Sequence, residues 1–153
     1  MTLRLIFNIL AVCGTCIFTG VLLTIGLTLG SHWKSLPPAE FLDGFAKNLR
    51  FIGRTLPVCL TAMLLGLVGS LWLGWSNPEQ RYLWGVALVC IVGHLVITSI
   101  YNGPMNSQFA SKSIPPDRVA AALNTWLTFH AVRTMLGLVA SVIAVLAVTR
   151  YTC

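Results

Sequence analysis

Four apolar runs divide the chain, at about 3–29, 55–75, 82–101 and 122–148. Each reaches the roughly 20 residues that a helix needs to cross a bilayer. The first and last are longer, which predicts tilt or extension into the interface. The polar stretches between the runs are short, so consecutive spans are predicted to be antiparallel neighbours in an up-down bundle. The second stretch, 76–81, holds Asn77-Pro78, a turn signal, and is flanked by Trp72, Trp75, Tyr82 and Trp84 as an aromatic belt. The first stretch, 30–54, breaks at Leu36-Pro37-Pro38. Beyond it Phe41, Leu42, Phe45, Leu49 and Ile52 recur at helical spacing, with Lys47, Arg50 and Arg54 between them. That pattern predicts an amphipathic helix in the first loop, lying on the membrane or leading into the second span. After Tyr101 the third stretch reads Asn102-Gly103-Pro104-Met105-Asn106, a predicted break in the third helix, and runs on to Pro115-Pro116-Asp117. Asp117 is the expected cap of the fourth helix. The fold class is therefore all-α: one integral membrane domain over residues 1–153, built as a four-transmembrane-helix antiparallel bundle.

Composition agrees. Of 153 residues 56% are hydrophobic and 9% charged, against about 25% charged in a soluble domain. The formal charge of +6 is spread over short loops and reads as a topology signal rather than a nucleic-acid footprint. Lys34, Lys47, Arg50, Arg54, Lys112 and Arg118 lie on one side, and Arg4, Arg81 and Arg150 on the other. The positive-inside rule then puts the first and third loops in the cytoplasm. The first apolar run exceeds a signal-peptide core and is read as a retained helix. Gly14, Gly20 and Gly26, with Ala62, Gly66 and Ser70, and Gly137 and Ser141, supply small residues for close helix packing. Cys13, Cys16, Cys59 and Cys90 fall inside apolar runs and Cys153 is the last residue. They are read as small packing residues, because no loop cysteine exists to resolve a Cys13-x-x-Cys16 redox pair.

The informative positions are the polar residues placed where they are expensive. His94, His130 and Arg133 fall within spans, and ionisable groups there point to function by default. Trp126, His130, Arg133 and Gly137 share one face of the fourth helix. Arg133 lies about 15–18 Å along it, near mid-bilayer. All four acids, Glu40, Asp43, Glu79 and Asp117, fall in loops. Arg133 must therefore meet carbonyls, amides, water, a folded-in acid or an anionic ligand. An antiparallel fourth helix would face Asn102 and Asn106, so these two, Trp126, His130 and Arg133 are expected to converge on one pocket. His94 stands alone on the third helix and is read as hydrogen-bonded to a neighbouring helix. Paired with His130 it would be the alternative ligand set for haem or a metal. Otherwise no metal and no cofactor is expected.

Two segments carry a family resemblance. Asn102-Gly103-Pro104-Met105-Asn106 and Trp126-Leu127-Thr128-Phe129-His130-Ala131-Val132-Arg133-Thr134 resemble the DUF1772 family, which includes anthrone oxygenase-like proteins. The family pattern is Asn-x-Pro-Leu/Met-Asn at the end of the third helix and Trp-x-x-x-His-x-x-Arg-Thr on the fourth. Met105 stands where Leu is commoner, a conservative change. The resemblance implies a four-span membrane protein, with Asn102, Asn106, Trp126, His130 and Arg133 as site residues. Some members are associated with oxidising an anthrone to an anthraquinone with O₂ and no evident cofactor. His130 is then expected to act as general base and Arg133, Asn102 and Asn106 as enolate donors, while Trp126 stacks on a planar polycyclic phenolic substrate.

The alternative is a non-enzymatic accessory subunit, or a protein that binds a small hydrophobic ligand or haem. The expected partners are the lipid bilayer and a hydrophobic small molecule. A homo-oligomer or a larger membrane complex would also bury the small-residue faces. No nucleic acid is expected. The expected location is multi-pass integral membrane, the inner membrane in a bacterium.

Overall fold

A computed structural model describes residues 2–152, with side-chain surroundings defined for all of these except Ile52, Tyr151 and Thr152; Cys153 and the Ile52 side chain thus lie outside the described residues. Four helices are long and apolar enough to cross a membrane, and no strand occurs among the described residues. Helix α1 covers Leu3–Ser35, α2 Pro38–Leu73, α3 Pro78–Ala110 and α4 Pro116–Thr152. Neighbours pack in ring order: α1 against α2 and α4, and α3 against α2 and α4. This is the expected four-transmembrane-helix bundle, and its apolar, lipid-sized helices make the chain a multi-pass integral membrane protein.

The helices run further than the apolar runs. The expected first loop is helical on both sides of a hairpin at Leu36-Pro37, where Pro38 opens α2. The amphipathic segment is the start of α2 and leads directly into the second span. Its apolar face has a partner: Phe41, Leu42 and Phe45 are buried with Trp33, Phe109, Ile114 and Trp126 in an aromatic cap. The expected break at Gly103-Pro104 is absent. A proline inside an α-helix removes one amide and crowds the carbonyl four residues back. Here a π turn over Thr98–Asn102 absorbs it, and the Gly103 amide bonds the Thr98 carbonyl instead. Helix α3 then continues to Ala110. A second π turn, Ile25–Leu29, interrupts α1 at a similar height. Asp117 falls in the first turn of α4 rather than capping it.

Close packing rests on particular glycines. A Cβ on Gly66 would overlap the Leu10–Ala11 backbone, and one on Gly14 would sit 2.7 Å from the Met63 Cα. Gly137 leaves room for the Thr19 hydroxyl, and Ser70 donates to the Asn8 side chain at 2.9 Å. Gly20, expected on the packed face, meets nothing and is exposed. Cys13 and Cys16 also face outward and do not pack the bundle; Cys59 and Cys90 are half-buried and free. Of the four aromatics around the second turn, Trp84 is buried in the bundle, where its indole N–H donates to Gln80 Oε1 at 3.0 Å. Trp72, Trp75 and Tyr82 are exposed as a belt.

An ion pair pins the cap from outside. Lys112, in the α3–α4 turn, donates to the Asp43 carboxylate of α2. The ammonium holds the Asp43 carboxyl below its ordinary value of 3.8. A depressed carboxyl stabilises the folded form above the unfolded value, and that contribution is lost as pH falls through the lower folded value. Melting scans of wild type and Lys112→Ala are expected to differ near neutrality and to converge below about pH 4.

Candidate site between the bilayer core and the aromatic cap

Two buried apolar clusters stack along the bundle. One holds Phe18, Leu22, Leu67, Ile91 and Ala140; the other is the aromatic cap around Trp33, Phe45 and Trp126. A layer of buried polar groups separates them: His94, Asn102, His130 and Arg133 are each 6% exposed or less. Helix periodicity assembles the layer. His94, Thr98, Asn102 and Asn106 recur every four residues on α3, and Trp126, His130 and Arg133 follow the facing stripe of α4.

The hydrogen bonds form one chain. Asn106 Oδ1 accepts from Trp126 Nε1 at 2.7 Å, and Asn102 Nδ2 donates to the Trp126 carbonyl at 3.2 Å. The Trp126 ring stacks on His130, centroids 5.0 Å apart and planes 13° apart, and the Arg133 guanidinium lies 5.5 Å from the same indole. Arg133 Nη2 and Nε reach His130 Nδ1 at 2.7 and 3.3 Å. Arg133 Nη1 donates to Thr98 Oγ1 at 3.2 Å. His94 is not isolated: its Nδ1 meets the Arg133 carbonyl at 3.1 Å and its Nε2 meets Thr98 Oγ1 at 3.4 Å.

These partners assign the tautomer of His130. Its Nε2 lies 2.8 Å from the Leu22 carbonyl, which can only accept, so Nε2 carries the proton. Its Nδ1 faces a guanidinium, which can only donate. His130 is thus a neutral imidazole whose lone pair is taken by Arg133 and whose N–H points at α1. Gly26 seats that edge: a Cβ there would stand 3.1 Å from Cδ2 and 3.3 Å from Nε2.

Arg133 has five N–H donors and no carboxylate partner among the described residues. Its hydrogen-bond partners here are neutral. A buried cation in this state is compensated by dipoles and an aromatic face, leaving capacity for a negative charge. Asn102 Oδ1 is also buried without a partner.

A cleft of about 310 Å³ opens between α1 and α4. Leu22, Leu23, Leu27, Leu127, Met135 and Leu138 form apolar walls, His130 lines it, and Ser31 and Lys34 lie at one end. The five residues expected to converge do share one network, but His130 alone of them lines this cleft. Trp126 is 2% exposed and is covered by His130, Trp33 and Phe45. It has no free face for a ligand. Asn102 and Asn106 hold Trp126. Haem ligation by His94 and His130 does not fit this arrangement, because both nitrogens of each ring already face protein partners.

The sequence reading missed Thr98 and the Leu22 carbonyl, and took Gly26 only as a packing residue rather than the seat of His130. Thr98 is legible as the second member of the polar series that recurs every four residues from His94 to Asn106. The Leu22 carbonyl had no signal, since any residue offers one.

Fold and site together define a class: a four-span membrane protein with a buried His–Arg pair beside an apolar cleft between two of its helices. The family model described as anthrone oxygenase matches residues 45–143, which include Asn102, Asn106, Trp126, His130 and Arg133. The chain belongs to that anthrone oxygenase family, the DUF1772 family. Neither the curated proteins nor the solved structures contain a significant match.

Proposed function

We propose that the protein is a cofactor-independent oxygenase of anthrone-like, polycyclic phenolic substrates. The observation that carries this reading is the Arg133–His130 pair, a buried cation without a carboxylate, aimed through an imidazole N–H at a cleft that opens to the lipid. An apolar polycyclic ketone and O₂ both concentrate in the bilayer and reach such a cleft sideways.

The chemistry asks for an enolate. His130 Nε2–H exchanges the Leu22 carbonyl for the ketone oxygen of the substrate. Arg133, bonded to the far nitrogen, strengthens that donor and shares the negative charge as it develops. His130 therefore acts here as an electrophilic donor, rather than as the general base expected from its residue type, because its lone pair is occupied. The ring methylene loses a proton to water, and the enolate passes an electron to O₂. The radical pair recombines to a peroxide anion, which takes back one proton as a hydroperoxide and then eliminates water to leave the new carbonyl. The sum is anthrone plus O₂ to anthraquinone plus H₂O, with no external reductant. Trp126, Asn102 and Asn106 position the pair.

The test uses purified protein, an anthrone and air. His130→Ala and Arg133→Ala are each expected to lower quinone formation by about 10²-fold or more, the usual cost of losing an oxyanion donor. Full activity in both variants would sink the mechanism.

The second reading is a non-enzymatic membrane binder. The hydrogen-bond chain between the helices favours it, since such a network serves equally as structural glue.

A further inference from the structure

The α1–α4 cleft changes chemistry along its length. The His130 imidazole stands midway, against Gly26, with Leu22, Met135 and Leu138 beyond it. At the outer end stand Ser31 and Lys34. The Ser31 hydroxyl donates to the Leu27 carbonyl at 2.9 Å, so its proton is used. Lys34 is exposed and has no carboxylate partner among the described residues. Among the described residues that line that end, its ammonium is the donor still free to meet a ligand. Between His130 and Lys34 the walls are Leu27, Gly30 and Leu127, and Gly30 lets the Leu127 side chain pack close to α1, since a Cβ there would stand 2.8 Å from Leu127 Cδ2.

The spacing sets the ligand. Gly26, against His130, and Lys34 are eight residues apart on α1, about 12 Å along the axis. Side chains in a helix lean towards its N-terminus, so Lys34 leans back over the cleft. The imidazole and the ammonium then stand about three fused rings apart. A cation at the mouth of an apolar slot recognises one anionic group on an apolar body.

We infer that Lys34 is a specificity residue: the cleft takes a polycyclic aromatic acid, its carboxylate on the Lys34 ammonium and its far ring at His130. The reacting end of that ligand rests on the oxygenation reading above; the binding does not. A bilayer phospholipid with an anionic headgroup presents the same chemistry to the same lysine, and the test separates the two.

The experiment places the full chain in phosphatidylcholine nanodiscs. Energy transfer from tryptophan reports binding of 2-anthracenecarboxylate and of its neutral analogue 2-anthracenemethanol, with protein-free nanodiscs as blank. Neither probe has a ring methylene to oxidise. The carboxylate is expected to bind about tenfold more tightly than the alcohol, as one charge pair at a low-dielectric edge provides. Lys34→Gln should erase that preference and leave alcohol binding unchanged, while Lys34→Arg should keep it. A preference surviving in Lys34→Gln, or no saturable binding of either probe, would overturn the assignment. So would loss of carboxylate binding in phosphatidylglycerol nanodiscs, which would give the cleft to an anionic lipid. Lys34-dependent binding without anthrone turnover would defeat the oxygenation reading alone. Turnover with no Lys34 dependence would defeat this inference alone.

Discussion

Arg133→Met is expected to leave the fold as stable as wild type and to remove the activity. A buried, hydrogen-bonded charge without a counter-ion is costly to hold in a low-dielectric interior, and well-packed apolar replacements are often neutral or stabilising. Methionine fills much of the same volume and adapts to irregular space. The losses are modest. His130 Nδ1 is left without its donor, at about 1–3 kcal/mol, and Thr98 keeps its bonds to His94. The melting temperature is therefore expected to stay within about 5 °C of wild type. Anthrone oxidation should fall about 10²-fold or more, because on the proposed mechanism the charge that supports the developing enolate is gone. A structural arginine gives the opposite signature, a protein that melts much earlier. Paired melting and turnover measurements on one preparation separate the two readings.

Gly66→Leu carries the largest expected effect on the fold itself. The new Cβ would overlap the backbone of Leu10 and Ala11, and neither neighbour is a flexible side chain that can step aside. Helix α1 would have to move off α2, which also strains the Ser70–Asn8 hydrogen bond one turn away. Overpacking costs about 1–3 kcal/mol where side chains can adjust, so a backbone clash is expected to reach or exceed the top of that range. The measured result should be little or no folded protein after extraction. Gly85→Ala is the control. Nothing lies within 4 Å of its added Cβ, and removing a mid-helix glycine should leave stability equal or slightly higher.

Much of this was legible in the residues. Hydropathy located four spans, because a bilayer demands long apolar helices and loops cannot lie bare in lipid. It underestimated their lengths. Gly103-Pro104 reads as a break by local propensity, and a π turn, which depends on which carbonyl the next amide finds, leaves no mark in composition. Phe41 and Phe45 announced an amphipathic helix, but whether they meet lipid or Trp33 and Phe109 is decided by tertiary packing. His130 and Arg133 stood out by the cost of charge and polarity in a span. Their roles depended on atoms no residue name reveals, above all the Leu22 carbonyl that fixes the His130 tautomer. Trp126 shows the same limit: its residue type suits stacking on a substrate, and in the fold that face is already taken by His130. Lys34 reads as a topology charge until the cleft is drawn around it.

The central proposal is that this membrane site transfers one oxygen atom of O₂ to an anthrone and releases the other as water. Its most direct test is turnover of an anthrone under ¹⁸O₂ by the wild-type protein in nanodiscs, with protein-free nanodiscs as the background. Protein-dependent quinone carrying one ¹⁸O atom, with one O₂ consumed for each quinone formed, is the expected result. A rate no faster than the background, or quinone oxygen drawn from water alone, would contradict it.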